Sequence, residues 1–180
     1  QAPEIAPSGE GGSLKTALAD TIRDVRIQLE DKNDPTRRVF AELLLNLEPL
    51  EARRYLVETP QAWFFLRDGR IIHLRADRGR LYIPDAMSQQ PESGTLEGNV
   101  VARLYAKPVG AEKPDLERDT PLGRLDTHSL TFDMALGEVS TPDRVVVTSP
   151  ELDFAARGVS MLLNEVRERA EWIEIAEGEH

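Results

Sequence analysis

The clearest pattern along the chain is an alternation of apolar and polar residues within residues 94–148. Leu96, Val100 and Leu104 fall on one side of an extended chain, while Glu97 and Arg103 fall on the other. Successive side chains of a β-strand point to opposite faces, so this stretch predicts a half-buried strand with one apolar face. The same alternation recurs at Leu130 and Phe132, at Val139 and Thr141, and at Val145 and Val147.

Turn residues divide the rest of the chain into further short strands. Val25, Ile27 and Leu29 alternate with polar residues and predict a first strand. Residues 55–59 are predicted as a short strand that Pro60 ends. The remaining predicted strands are residues 62–67, 70–76, 123–133, 138–141, 144–149 and 151–158.

Two kinds of turn separate these strands. Asp68-Gly69 predicts a hairpin turn, and residues 77–79 predict another turn before Leu81 and Ile83. Residues 107–121 are polar and rich in proline, which predicts an exposed, mobile hairpin loop.

Two stretches fit a strand and a helix equally well on local propensity. In residues 38–48, alternation favours a strand, whereas the leucines also form a helical stripe. In residues 160–171, helical spacing competes with the strand-like Trp172, Ile173 and Ile175 that follow. The neighbouring short strands favour an all-β domain, and helix in both stretches would make it α+β.

The N-terminal region has little to bury. Residues 1–13 consist mainly of Pro, Gly, Ser and Glu and are predicted to form a disordered linker. Ser13 could cap a short helix over the following residues, so a disordered or helical segment is expected before the first strand. A single domain is predicted over residues 14–180. Because the chain starts at Gln1, we expect a trimmed chain whose signal or anchor has been removed.

Composition narrows the classes of partner and of chemistry. The net charge of −10 argues against nucleic acid and against docking on anionic lipid through a basic surface. The chain has no cysteine, which excludes disulfides and cysteine-based sites. The histidines have no metal-ligand spacing, and neither Gly-x-Ser-x-Gly nor a phosphate loop is present. We therefore expect no catalytic residue, no metal and no cofactor.

One ordered set of motifs resembles the LptC family. It consists of Leu96-Glu-Gly-Asn-Val100, Leu125-Asp-Thr, Leu130-x-Phe132-Asp133, Gly137-x-Val139-x-Thr141 and Val145. LptC proteins belong to the periplasmic lipopolysaccharide-export machine and are related to OstA-like domains. Leu74-x-Ala76-x-x-Gly79 and Ala156-x-Gly158-Val159 extend the resemblance, which covers residues 25–175, while the insert at 107–121 is longer than the family pattern.

The resemblance implies an open antiparallel β-roll, boat- or V-shaped, that carries lipid without catalysis. Such a protein would take lipopolysaccharide from the permeases of an inner-membrane ABC transporter and pass it to a periplasmic LptA-like bridge protein. It would be periplasmic and tethered to the inner membrane by an N-terminal helix absent from this chain. The alternative is a closed structural or adhesive β-domain without a lipid ligand.

Alternation, rather than the resemblance, selects the residues of the expected lipid trough. They are Ile72, Leu74, Val100, Leu104, Phe132, Val139, Val145 and Val147. A like-folded partner could add its strand to an open sheet edge and continue the trough. The edge is predicted in the carboxy-terminal strands, at Val159, Met161, Leu163, Trp172 and Ile173.

Overall fold

A computed structural model describes residues 22–30, 39–85, 90–164 and 169–179, which form one antiparallel sheet of ten strands. The strands are β1 (Ile22–Glu30), β2 (Val39–Pro49), β3 (Arg54–Phe65), β4 (Ile71–Arg75), β5 (Arg78–Tyr82), β6 (Ser93–Tyr105), β7 (Gly123–Asp133), β8 (Glu138–Thr148), β9 (Asp153–Asn164) and β10 (Arg169–Glu179). The predicted all-β class is confirmed, and β2, β9 and β10 settle the contested stretches as strands wherever they are described.

The predicted linker, the possible N-terminal helix and the turn after β1 lie outside the described residues. Within those residues, no helix has the length and hydropathy needed to cross a membrane.

With β4 and β5 counted as one interrupted strand, each strand pairs with its neighbours in the chain. The order is β1-β2-β3-β4-β6-β7-β8-β9-β10, and β5 continues β4 end to end between β3 and β6. In the described chain, Cα atoms of two strands come within 8 Å of each other only where those strands are hydrogen-bonded neighbours. β1 and β10 are therefore separate edges, and the predicted open antiparallel sheet is confirmed.

A line of β-bulges crosses the sheet, and we call it the bulge seam. Register slips by one residue between Ile22 and Val25 in β1, between Glu97 and Val100 in β6, and between Thr141 and Arg144 in β8. Residues in the left-handed region lie on the same line, at Asp24, Thr59, Gly98, Asn99 and Gly158. Bulges bend a strand and increase its twist, so the seam divides the sheet into two halves.

At the bulge seam, backbone groups that leave the regular pattern of hydrogen bonds between strands find other hydrogen-bond partners. The N–H of Thr59 donates to the carbonyl of Asp77, and the N–H of Asp77 donates to the carbonyl of Gly98, both at 2.8 Å. The amide of Asn99 donates to the Asp77 carboxylate, also at 2.8 Å. Asp77 therefore connects three neighbouring strands at the centre of the seam.

The seam corrects three strand boundaries predicted from the sequence. Pro60 does not end a strand, because β3 runs through it, and its carbonyl accepts a hydrogen bond from Ala76 at 3.2 Å. Residues 77–79 make no hairpin, since β5 continues in the direction of β4. Pro142 lies inside β8, so residues 138–148 are one strand. Proline is tolerated within sheets at bulges, which is where both of these prolines lie.

The insert between β6 and β7, which we call the strap (residues 106–122), is exposed over most of its length, as predicted. The prediction is wrong for Lys113, which is half-buried, and for Pro114, which is buried. The Lys113 Nζ lies 2.7 Å from a carboxylate oxygen of Glu42 and 4.4 Å from the centre of the Trp63 ring. The strap is thus fixed to the sheet by one ion pair and one cation–π contact.

Candidate functional site

The sheet has one apolar face, defined by two complete cross-strand rows on opposite sides of the seam. Residues directly opposite each other on antiparallel strands share a face. The first row is Pro49, Tyr55, Leu81, Gly94, Phe132, Val139, Met161 and Ile173. The second row is Ile27, Leu43, Ala62, Leu74, Ala102, Leu125, Val147 and Phe154. Neither row contains a charged side chain, and the hydroxyl of Tyr55 is the one polar side-chain group in either row.

The opposite side, which we call the outer face, is polar next to the first row. One residue along, the strands present Glu48, Leu56, Arg80, Thr95, Thr131, Ser140, Ser160 and Glu174. The two halves keep the same apolar face across the seam, because Leu96 and Leu130 pack in one cluster with Ala76 and Val100. The apolar face is therefore continuous from one half to the other.

All eight residues predicted for the trough lie on the apolar face. Leu74 and Val147 belong to the second row, and Phe132 pairs with Val139 in the first. Ile72 pairs with Leu104, and Val100 and Val145 both pair with Thr127. Alternation does not select Tyr55 and Leu81, which lie in short stretches between turns. Only the register between strands shows that they share this face.

Apart from Ile22 at the start of β1, which is 52% exposed, the apolar face is covered near β1 and exposed near β10. Side chains of β1, β2, β3 and β5 form the main core cluster, in which Ile27 is 4% exposed although β1 is an edge strand. Val100 is fully buried and Val145 is 4% exposed, so both lie beneath other side chains. In β10, by contrast, Ile173 is 55% exposed and Ile175 is 40% exposed. The accessible part of this face therefore lies towards β9 and β10.

The predicted partner edge spans two strands, and only β10 is terminal. Val159 and Met161 lie in β9, which is hydrogen-bonded to β8 on one side and to β10 on the other. Ile173 lies in β10 with its side chain on the apolar face, whereas the side chains of Leu163 and Trp172 lie outside the described residues. The unpaired backbone groups of this edge therefore belong to β10.

Beneath the strap, the outer face carries a buried histidine. His73 is 1% exposed, and its ring centre lies 5.1 Å from that of Trp63. Its Nε2 lies 3.0 Å from Oε1 of Gln61, and because that oxygen only accepts, Nε2 carries the proton. Nδ1 is buried and has no hydrogen-bond partner among the described residues, so a second proton there would have no acceptor among them. Burial, together with the positive charges of Arg103 and Arg75, lowers the pKa of His73 to about 4.

We expect His73 to make the fold less stable in acid. Between pH 6.5 and about 4, the unfolded chain binds a proton at this histidine and the folded chain does not, so stability falls as pH falls. Relative to a His73→Gln variant, the wild type should lose roughly 2–3 kcal/mol of unfolding free energy between pH 7.5 and 4.5. Urea unfolding at both pH values measures it. The matched control is His128→Gln, at an exposed histidine, and an equal effect of both variants would contradict the prediction.

His128 takes no part in a hydrolase-like arrangement in the described chain. Ser129, which follows His128, donates its hydroxyl to the Asp143 carboxylate at 2.5 Å. Thr141 accepts from the N–H of Asp143 at 3.1 Å, so this carboxylate belongs to the β8 bulge. These polar groups stabilise the seam.

Comparison with known proteins adds no assignment. No protein-family model matches the chain, and no curated protein matches it.

Proposed function

We propose that this protein is a non-catalytic, periplasmic component of lipopolysaccharide transport that shields acyl chains on its apolar face. It receives the lipid from the permeases of an inner-membrane ABC transporter and passes it to a periplasmic LptA-like bridge protein. The proposal combines the LptC-like motifs with one structural observation, the continuous apolar face of an open sheet whose exposed part lies at β9 and β10.

The energetic basis is the cost of exposing acyl chains to water. Each buried methylene contributes about 0.8 kcal/mol, so a chain of ten methylenes gains roughly 8 kcal/mol from an apolar surface. The side chains available to such a lipid include Phe132, Val139 and Met161, all partly exposed, together with Ile173 and Ile175. Val100 contributes indirectly, because it packs beneath Leu96 and Leu130.

Transfer to the bridge protein would use the β10 edge. An added strand satisfies the unpaired backbone groups of β10 and covers Ile173 and Ile175, which the protein itself leaves exposed. The strand would extend the apolar face into the partner, so that the lipid crosses the junction without meeting water.

Photo-crosslinking in cells tests the proposal directly. A photoreactive amino acid at Phe132 or Ile175, on the apolar face, should capture lipopolysaccharide. Each position has a matched control one residue away on the outer face, Thr131 for Phe132 and Glu174 for Ile175. A probe at Ala176 in β10 should capture the bridge protein, whereas a probe at Ser160 in the internal strand β9 should not.

The outcomes separate transport from the alternative. Equal lipid capture at Phe132 and Thr131, or none at either, would contradict a lipid-binding face and favour a closed structural β-domain. Lipid capture without any protein captured at Ala176 would retain lipid binding and reject the β10 junction.

A further inference from the structure

A concavity of about 730 Å³ opens between the β2–β3 turn and the ends of β5 and β6. Ligand pockets commonly have volumes of about 300–1,000 Å³, so this concavity has the size of a small-molecule site. Its walls come from Pro49, Leu50, Glu51, Arg54, Arg80, Leu81, Tyr82, Ser93, Gly94 and Thr95. We propose that this concavity binds an oxyanion of the phosphate ester class, held by Arg54 and Arg80.

The two arginines lie close together on the outer face. Arg54 pairs with Tyr82, and Arg80 lies two residues before Tyr82 on the same strand. Diagonal neighbours of this kind lie about 7–8 Å apart, which allows both guanidinium groups to reach one anion. Both side chains are exposed, so an incoming ligand meets them without displacing the core.

Arg54 and Arg80 differ from several other outer-face arginines in having no carboxylate partner within the described chain. Arg78 pairs with Glu97 at 3.3 Å, and Arg124 binds both carboxylate oxygens of Asp126 at 2.6 and 2.7 Å. Glu51 also lines the concavity, yet it forms no ion pair with either arginine in the described structure. In a chain with a net charge of −10, two adjacent arginines that have no carboxylate partner among the described residues are available to attract an anion.

The remaining walls fit a phosphate carried on a sugar or another polyol. Ser93 and Thr95 add hydroxyl groups, and Thr95 Oγ1 lies 3.2 Å from Thr131 Oγ1. Leu50, which is 49% exposed, adds an apolar rim. Guanidinium groups bind phosphate through two parallel hydrogen bonds, which is the geometry that favours arginine over lysine.

This site is independent of the proposed function, because Arg54 and Arg80 lie on the outer face and none of the proposed lipid contacts lines the concavity. The anion could be a soluble sugar phosphate or the phosphorylated headgroup of a lipid. Both present the same phosphate ester to the two arginines.

Calorimetric titration and vesicle binding with the full chain test the site. Glucose-1-phosphate is the soluble probe and unphosphorylated glucose its control, and vesicles of phosphatidylcholine with or without phosphatidic acid present a lipid headgroup. We expect an Arg54→Gln/Arg80→Gln double variant to bind the phosphate probe about tenfold more weakly or worse. Arg124→Gln, which removes an arginine already paired with Asp126, should bind like the wild type.

Each outcome supports or rejects the site. If the double variant, but not Arg124→Gln, loses glucose-1-phosphate binding, the ligand is a soluble phosphate ester. If the double variant still binds glucose-1-phosphate like the wild type but no longer prefers vesicles that contain phosphatidic acid, the ligand is a lipid headgroup. Equal binding by all three proteins, equal weakening by Arg124→Gln, or no phosphate binding to either probe would overturn the proposal. Thermal unfolding of each variant confirms that the compared proteins are folded.

Discussion

Replacing Gly98 with alanine should lower the free energy of unfolding by about 2–4 kcal/mol. Gly98 has a φ of +77°, where an L-residue is strained, and an added Cβ would lie 2.7 Å from Oδ2 of Asp77. Asp77 cannot move aside freely, because its backbone bonds two neighbouring strands and its carboxylate accepts from Asn99. Chemical denaturation monitored by tryptophan fluorescence measures the loss.

A substitution at Gly110 in the strap separates backbone strain from steric overlap as causes of the loss of stability. Its φ of +74° is nearly the same, yet an added Cβ would meet no atom within 4 Å. Gly110→Ala should therefore show only the conformational cost, about 1 kcal/mol. Equal destabilisation by the two substitutions would show that the contact with Asp77 contributes nothing.

Gly94→Ala should destabilise the protein by at least about 1–3 kcal/mol through steric overlap alone. The added Cβ would lie 2.6 Å from the backbone oxygen of Arg80 and 2.9 Å from a ring carbon of Phe132. The Arg80 oxygen cannot move away without disturbing the hydrogen bonds between β5 and its neighbouring strands. Because Gly94 lies in the first apolar row between Leu81 and Phe132, the overlap would also displace the Phe132 ring. Urea unfolding gives the energy, and near-ultraviolet circular dichroism reports the aromatic environment.

The matched control for this substitution is Gly123→Ala. Gly123 lies on the same face, opposite Leu104, and its added Cβ would be no closer than 3.8 Å to any neighbour. We expect this variant to be as stable as the wild type or slightly more stable, since alanine restricts the unfolded chain. A Gly94→Ala protein as stable as Gly123→Ala would contradict the close approach of β5, β6 and β7.

Most of the strands follow from alternation, because a sheet with one apolar face leaves a period of two in the sequence. That period places β1, β6 and β7, and it puts all eight proposed trough residues on one face. It also favours a strand for β2, where leucines permit a helix and only pairing with β1 and β3 decides between them.

The bulge seam could not be predicted, because its residues resemble turn signals. Read locally, the sequence predicts that a strand ends at Pro60, at Asp77 and at Pro142. In the structure, each of these positions is a one-residue irregularity inside a continuing strand or pair of strands. The difference depends on hydrogen bonds to neighbouring strands, such as that from Thr59 to Asp77, which local sequence does not encode.

The coverage of the apolar face also lay beyond the sequence pattern. Val100 and Ile175 are both apolar positions of alternating strands, yet Val100 is fully buried and Ile175 is 40% exposed. Exposure depends on which neighbours each side chain acquires in three dimensions. The strap shows the same limit, since only the register of β2 and β3 brings Glu42 beside Trp63, where both meet Lys113.

The sheet is a meander in which β4 and β5 together take the place of one interrupted strand. Duplicating a terminal hairpin would leave every existing partner in place, because no crossover connects distant strands. Neighbouring strands lie about 4.8 Å apart, so each extra hairpin would widen the apolar surface by roughly 10 Å. A sheet of this kind can therefore become broader or narrower by gaining or losing hairpins at either edge.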